Sequence, residues 1–206
     1  MAYFTIESVV RTATEILAES RLAATAANAG IRLSAESIAE KLPPVPAEPA
    51  AAPVVIFDVF LSHSSLDQLH VLGIYRALRK RGYAVYLDQT CDPQLDRTNV
   101  TRATARVLRY RMAQCKSLFV ATSTNTSDSQ WVPWELGFTD GWNGKAAVLP
   151  ILPAGTYSFA GQEYFELYPD VRDAGSGYSR PHDLHIYDRG TFVGSWGNWL
   201  VRARMF

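Results

Sequence analysis

The succession of apolar and polar positions divides the chain into three stretches. In the first, Ile6, Val9, Val10, Ala13, Ile16 and Leu17 recur at helical spacing and form one apolar stripe. Ser34 is placed to cap a second helix over residues 34–42, with Ile38 and Leu42 on one face, and Asn28-Ala29-Gly30 reads as the break between the two. The pattern predicts a helical arm over residues 1–42. It either packs on its own domain or on another copy, or serves as an arm for dimerisation or partner docking. Residues 43–53 contain five prolines in eleven positions, which excludes a helix or a central strand and predicts an extended, semi-rigid linker.

From residue 54 onward strand and helix periods alternate. Residues 54–61, 83–87, 117–121 and 146–152 are short apolar runs rich in β-branched and aromatic side chains, the signature of buried strands. Between them a helix is expected from about Asp67, with Leu69, Leu72, Tyr75 and Leu78 inward and Gly82 as its stop. A polar loop over residues 89–98 precedes a helix over residues 99–114, with Val100, Ala103, Val107 and Leu108 inward. Ser127-Asp128-Ser129 offers N-cap residues for a helix carrying Trp131, Glu135 and Phe138. After Pro153 the pattern weakens: residues 155–180 read as mostly irregular, residues 183–187 as a short fifth strand, and residues 191–205 as a final helix with Phe192, Trp196, Trp199 and Leu200 inward. Strands separated by helices of this length imply an α/β fold, a parallel sheet of about five strands flanked by helices, with right-handed crossovers. Ligands bind such sheets outside the carboxyl ends of the strands. The polar segments at residues 62–65, 88–96 and 123–129 all follow strands and so converge on that edge.

Composition excludes several classes. Basic and acidic residues number 20 each, so the chain lacks the charge of a nucleic-acid binder. The arginines between Arg97 and Arg111 read as a solvated helix face. Cys91 and Cys115 form no CxxC pair, and His182-x-x-His185 lacks the partners of a metal motif, so no metal is expected and the histidines read as surface residues. Nothing beside Cys91 predicts a depressed thiol pKa. Neither a signal peptide nor an apolar run long enough to span a membrane is evident, so the expectation is a soluble protein of a reducing cytoplasm with no membrane partner. There is no Walker-type loop and no Gly-rich dinucleotide fingerprint.

The pattern that carries chemistry is Trp131-Val132-Pro133-Trp134-Glu135. Pro133 places it at the start of a helix, near the ligand-binding edge. Trp131 and Glu135, four apart, share a helix face. An aromatic plane beside a carboxylate suits a nucleotide ring and a developing oxocarbenium charge, as in cleavage of an N-glycosidic bond. The same spacing also fits a tryptophan packed in the core and a glutamate complementing the helix N-terminus.

Four segments spread over residues 57–151 resemble the Toll/interleukin receptor (TIR) family. Phe57-Asp58-Val59-Phe60-Leu61-Ser62-His63-Ser64-Ser65-Leu66-Asp67 is similar to its first signature, and Gly82-Tyr83-Ala84-Val85-Tyr86-Leu87-Asp88 to its second strand. Ser129-Gln130-Trp131-Val132-Pro133-Trp134-Glu135-Leu136-Gly137 resembles the segment with a tryptophan and, four residues on, a glutamate; Val148-Leu149-Pro150-Ile151 resembles the fourth strand. Gly161-Gln162-Glu163-Tyr164-Phe165 and Leu167-Tyr168-Pro169 are loosely similar to some bacterial members. The resemblance leaves the arm uncovered and implies a flavodoxin-like TIR domain over residues 54–206.

It further implies an enzyme that cleaves NAD+ at the nicotinamide–ribose bond. The product is ADP-ribose or a cyclic or modified ADP-ribose signal, as in antiphage systems of the Thoeris kind. Glu135 matches the glutamate of the enzymatic members and is the expected catalytic residue. Ser62, His63, Ser64, Asp88 and Trp131 are the expected substrate-binding residues, with NAD+ as substrate and no cofactor. Expected partners are a second copy of the chain, through the TIR domain or the arm, and a downstream effector that senses the nucleotide product. In the family the loop after the second strand gates the site. Residues 89–96 lack the Gly-Asp pair common there, which leaves its residue roles unassigned. Two alternatives stand beside this reading: a non-catalytic TIR interaction module, and an enzyme like the nucleoside deoxyribosyltransferases.

Overall fold

A computed structural model describes residues 2–28, 45, 53–95, 101–123, 129–159, 161–175 and 184–203. The expected helix over residues 34–42, most of the linker, Ser127, Asp128 and His182 lie outside these. The strands are β1 (Phe4–Thr5), β2 (Phe57–His63), β3 (Val85–Tyr86), β4 (Cys115–Thr122), β5 (Ala146–Leu152), β6 (Asp170–Asp173), β7 (Leu184–Asp188) and β8 (Thr191–Ser195). The helices are α1 (Ile6–Asn28), α2 (Gln68–Lys80), α3 (Asp88–Cys91), α4 (Arg102–Ala113), α5 (Trp131–Asn143) and α6 (Trp196–Val201).

The sheet order is β3-β2-β4-β5-β6-β7-β8. From β3 to β6 every pairing is parallel, whereas β6-β7-β8 is an antiparallel extension. The parallel part has the flavodoxin-like order, in which the chain reverses direction across the sheet between β2 and β4. Strand alternation sorts the side chains of β2, β4 and β5 onto two faces. Val59, Leu61, Phe119, Ala121, Ala147 and Leu149 enter one core with Val71, Ile74 and Leu78 of α2. Phe60, Leu118, Val120, Ala146 and Val148 enter the other, with Leu108 and Met112 of α4 and Val132 and Leu136 of α5.

The arm, as far as it is described, folds back on its own chain. β1 pairs with the carboxyl end of β5, Phe4 opposite Ile151 and Thr5 opposite Leu152, and Ala2 bridges Asp173. Helix α1 then crosses α2 at Gly73, where a Cβ would lie 2.0 Å from the carbonyl oxygen of Val9. Val9 and Ala13 of the expected stripe are fully buried, and Leu17 is half exposed. Arg76–Glu19 (2.9 Å) and Lys80–Glu15 (3.6 Å) flank the crossing.

Several expectations are corrected. The inward face of α2 is Val71, Ile74, Tyr75 and Leu78; Leu69 is exposed and Leu72 only half-buried. In α4, Ala103 is exposed and the inward residues are Thr104, Leu108, Arg111 and Met112. The polar loop after β3 begins with one helical turn, α3. The fifth parallel strand is β6, within the stretch read as irregular; Val171 is its one buried residue, so it has almost no apolar signature. Residues 183–187 do contain a strand, β7, but it is antiparallel. The final helix over residues 191–205 is wrong in its first five residues, which form β8. Arg189 (φ 47°) and Gly190 (φ 78°) make a two-residue turn that folds β8 back on β7. Phe192 is therefore exposed, whereas Trp196 and Trp199 enter the core and the half-buried Leu200 packs against it.

Candidate active site

Alternation along β2 decides which of its terminal polar residues meets which helix. Ser62 has the parity of Phe60 and so faces α5, whereas His63 has the parity of Leu61 and faces away. In α5 the first turn is organised by Pro133, tolerated where no intrahelical N–H bond is required, and by Ser129, whose Oγ accepts from the Val132 N–H at 3.3 Å. One turn further, Glu135 points at β2. Ser62 Oγ donates to Glu135 Oε2 at 2.5 Å, and both side chains have 0% exposure. An O–H···O bond this short between a hydroxyl and a carboxylate is of the charge-assisted class. The pair sits at the carboxyl end of β2, beside the switch point.

His63 turns to the opposite side and joins α3. Its Nε2 lies 2.8 Å from Gln89 Nε2 and its Nδ1 3.3 Å from the Leu61 carbonyl. A neutral imidazole satisfies both, donating from Nδ1 and accepting at Nε2, a tautomer inferred from the pairing. Ser64 caps the short 3-10 turn Ser65–Asp67, accepting from the Leu66 N–H at 3.4 Å. Asp88 is buried at the start of α3 and accepts from the Gln89 N–H at 2.8 Å. Trp131 is buried in the apolar core on the α4–α5 side, edge-on to Trp134 at 5.4 Å. The tryptophan thus packs in the core instead of facing a cleft with the glutamate, and the glutamate turns into a buried polar pair with Ser62. Trp134, read as core or interface, continues an aromatic row with Phe138 and the exposed Trp142.

Three further buried polar groups, Asp67, Asp92 and Arg111, carried little signal in the sequence. Asp67, read only as a helix start, is buried; its Oδ1 accepts from Ser123 Oγ at 2.5 Å and pairs with His70 Nδ1 at 3.3 Å. It thereby ties the start of α2 to the end of β4. Asp92 and Arg111 form a buried two-pronged ion pair, Nε to Oδ2 at 2.8 Å and Nη2 to Oδ1 at 3.1 Å. Arg111 Nη1 also donates to Gln114 Oε1 at 3.0 Å, and Tyr86 Oη donates to Asp92 Oδ2 at 2.8 Å. Burial first, and the adjacent Asp92 second, hold the Tyr86 phenol far above its ordinary value, so it remains a donor. Arg111 therefore departs from the solvated face on which Arg102, Arg106 and Arg109 do lie. An i+4 apolar partner, Leu108 before Met112, was the available hint that position 111 borders the core.

Among the described residues no group of three or more His, Cys, Asp or Glu is placed to hold a metal ion, and no helix is long and apolar enough to cross a membrane. His185 packs its ring on Phe192 at 4.9 Å. Cys115 is buried, and burial pushes its thiol well up.

No protein-family model matches the chain. Over 147 residues the chain is 44% identical to a Bacillus cereus (strain MSX-D12) protein named as a probable 3′ cyclic ADP-D-ribose synthase, ThsB′; the match covers 70% of this chain and 76% of that protein. Over 85 residues it is 34% identical to a Cytobacillus dafuensis protein provisionally named cyclic ADP-D-ribose synthase TIR2, covering 41% of this chain and 22% of that protein. With the four sequence segments, the flavodoxin-like strand order and a relative matched over most of both lengths, this chain belongs to the bacterial TIR family, in its Thoeris-like branch.

Proposed function

We propose that this chain is an NAD+-consuming ADP-ribosyl cyclase that makes a cyclic ADP-ribose signal in antiphage defence, with Glu135 as its catalytic residue. The observation that carries the reading is the Glu135 carboxylate, held by Ser62 at the switch point of a TIR-type sheet. The names of both relatives support the cyclase activity.

In this mechanism NAD+ lies along the carboxyl edge with its nicotinamide ribose at Glu135. The bond from the ribosyl carbon to nicotinamide breaks, and its electron pair leaves with the ring nitrogen. Nicotinamide departs neutral and needs no proton, so one carboxylate suffices, stabilising the oxocarbenium-like charge and holding ribose hydroxyls. A hydroxyl of the same molecule then bonds to the ribosyl carbon and gives up its proton to solvent. Capture by water gives linear ADP-ribose instead. His63 and Asp88 border the nucleotide's path, Ser64 shapes the turn below it, and Trp131 backs its wall. Because Glu135 is fully shielded, substrate entry requires movement of the elements that cover it. Self-association through the TIR domain or the arm, and an effector that senses the product, complete the reading.

The test is NAD+ consumption with product identification by mass spectrometry, at high protein concentration or with the activating partner present. Glu135→Gln is expected to lose turnover by roughly a hundred-fold or more. Full turnover by this variant would remove Glu135 from the mechanism. Wild-type protein that assembles yet releases no nicotinamide would favour the interaction module, and base exchange on a deoxynucleoside without NAD+ loss would favour the deoxyribosyltransferase reading.

A further inference from the structure

Ser62 was expected to touch substrate, but its place in the structure suggests another role. We infer that Ser62 is a positioning residue for Glu135: its hydroxyl orients the carboxylate towards the ribosyl carbon and does not itself bind NAD+. The inference rests on the reading of Glu135 as the catalytic carboxylate.

Three observations carry it. First, a serine hydroxyl has one proton to donate, and Ser62 directs it to Glu135 Oε2 at 2.5 Å. Second, both side chains have 0% exposure, in a region where a hydrogen bond to a carboxylate fixes its rotamer strongly because no water competes. Third, the bond joins the two elements whose relative placement defines the site, β2 and α5. The neighbours of Ser62 are committed elsewhere: His63 meets Gln89 of α3, and Ser64 caps the Ser65–Asp67 turn. Ser62 is thus the residue of this polar run aimed at the carboxylate. A glutamate has three side-chain torsions, and a group that must meet a transient cation gains from having them settled beforehand.

The alternatives make different predictions. If Ser62 positions Glu135, Ser62→Ala lowers kcat about ten- to a hundred-fold with KM for NAD+ nearly unchanged. It also leaves NAD+ affinity unaltered in a Glu135→Gln background, measured by titration calorimetry on the full chain, since the bond it removes is no longer the working one. If Ser62 binds substrate, KM rises and the double variant binds NAD+ more weakly than Glu135→Gln alone. If the bond instead plugs the site at rest, Ser62→Ala raises basal nicotinamide release. Either of the last two results overturns the inference. Should Ser62→Ala fold poorly, the calorimetric comparison is repeated with Ser62→Cys, which keeps the volume and only weakly donates; reduced NAD+ affinity there would again overturn it. Full turnover by Glu135→Gln would instead remove the underlying reading, so the two failures are distinct.

Discussion

At the scale of the residue, the fold is held by buried polar pairs, and these are where single substitutions act most strongly. Removing one member of a buried ion pair leaves the other charge desolvated, which costs about 3–5 kcal/mol. Arg111→Ala is expected to destabilise the protein by that amount in chemical denaturation, because Asp92 would lose both charged contacts and keep the neutral donors Tyr86 Oη and Gln94 Nε2. Asp92 follows directly on α3, so hydrogen exchange in residues 88–92 should also accelerate in this variant. The two cysteines should differ in reactivity: Cys91 is half-buried, whereas burial raises the Cys115 thiol. Alkylation followed by mass spectrometry should modify Cys91 first and reach Cys115 only on unfolding. Tyr86 and Cys115 also imply a sign for alkaline stability. Both have folded pKa values raised above their ordinary 10.0 and 9.0, so the unfolded chain releases protons first as the pH rises. Their contribution is complete below about pH 9 and falls above it. Denaturation midpoints should therefore decline from about pH 9 to pH 11, and a rise would contradict the sign.

At the scale of the element, the crossing of α1 on α2 depends on the absence of a side chain at Gly73. A Cβ there would lie 2.0 Å from a backbone oxygen, which cannot rotate away. Gly73→Ala should push the helices apart and cost about 1–3 kcal/mol, with accelerated amide exchange concentrated in α1. The β7–β8 turn offers a change of opposite sign. Arg189 occupies the left-handed region that a non-glycine residue enters at a cost of roughly 1–2 kcal/mol, and asparagine tolerates it better. Arg189→Asn is expected to stabilise the protein by about 1 kcal/mol, read as a higher denaturation midpoint.

At the scale of the whole molecule, residues 2–28 are not an independent part of the chain. β1 adds to β5, α1 covers α2, and Glu7 accepts from the Ala154 N–H at 3.2 Å. The apolar face of α2 and the end of β5 are completed by the arm. A chain beginning at residue 54 should therefore unfold at lower denaturant concentration than the full chain and bind more of a hydrophobic dye. Equal stability of the two would show that the arm docks without contributing.

The sequence by itself determined the alternation of strands and helices from residue 54 to residue 152, the edge on which the polar segments converge, and Glu135 as a helix-start carboxylate near that edge. These follow from local period and from turn residues, which a single sequence displays directly. It also placed Ser62 at that edge, and strand parity could have directed it towards α5. The tertiary structure alone decided which polar side chains meet. The bonds of Ser62 to Glu135, of Asp67 to Ser123 and of Asp92 to Arg111 join residues far apart in the chain. No local period encodes such pairs. The same limit explains β6 and β8. A strand with one buried residue, or with aromatics that coincide with helical spacing, takes its identity from the partner it pairs with. Position in the sheet, not composition, turned a helix-start glutamate into a buried carboxylate with a serine to orient it.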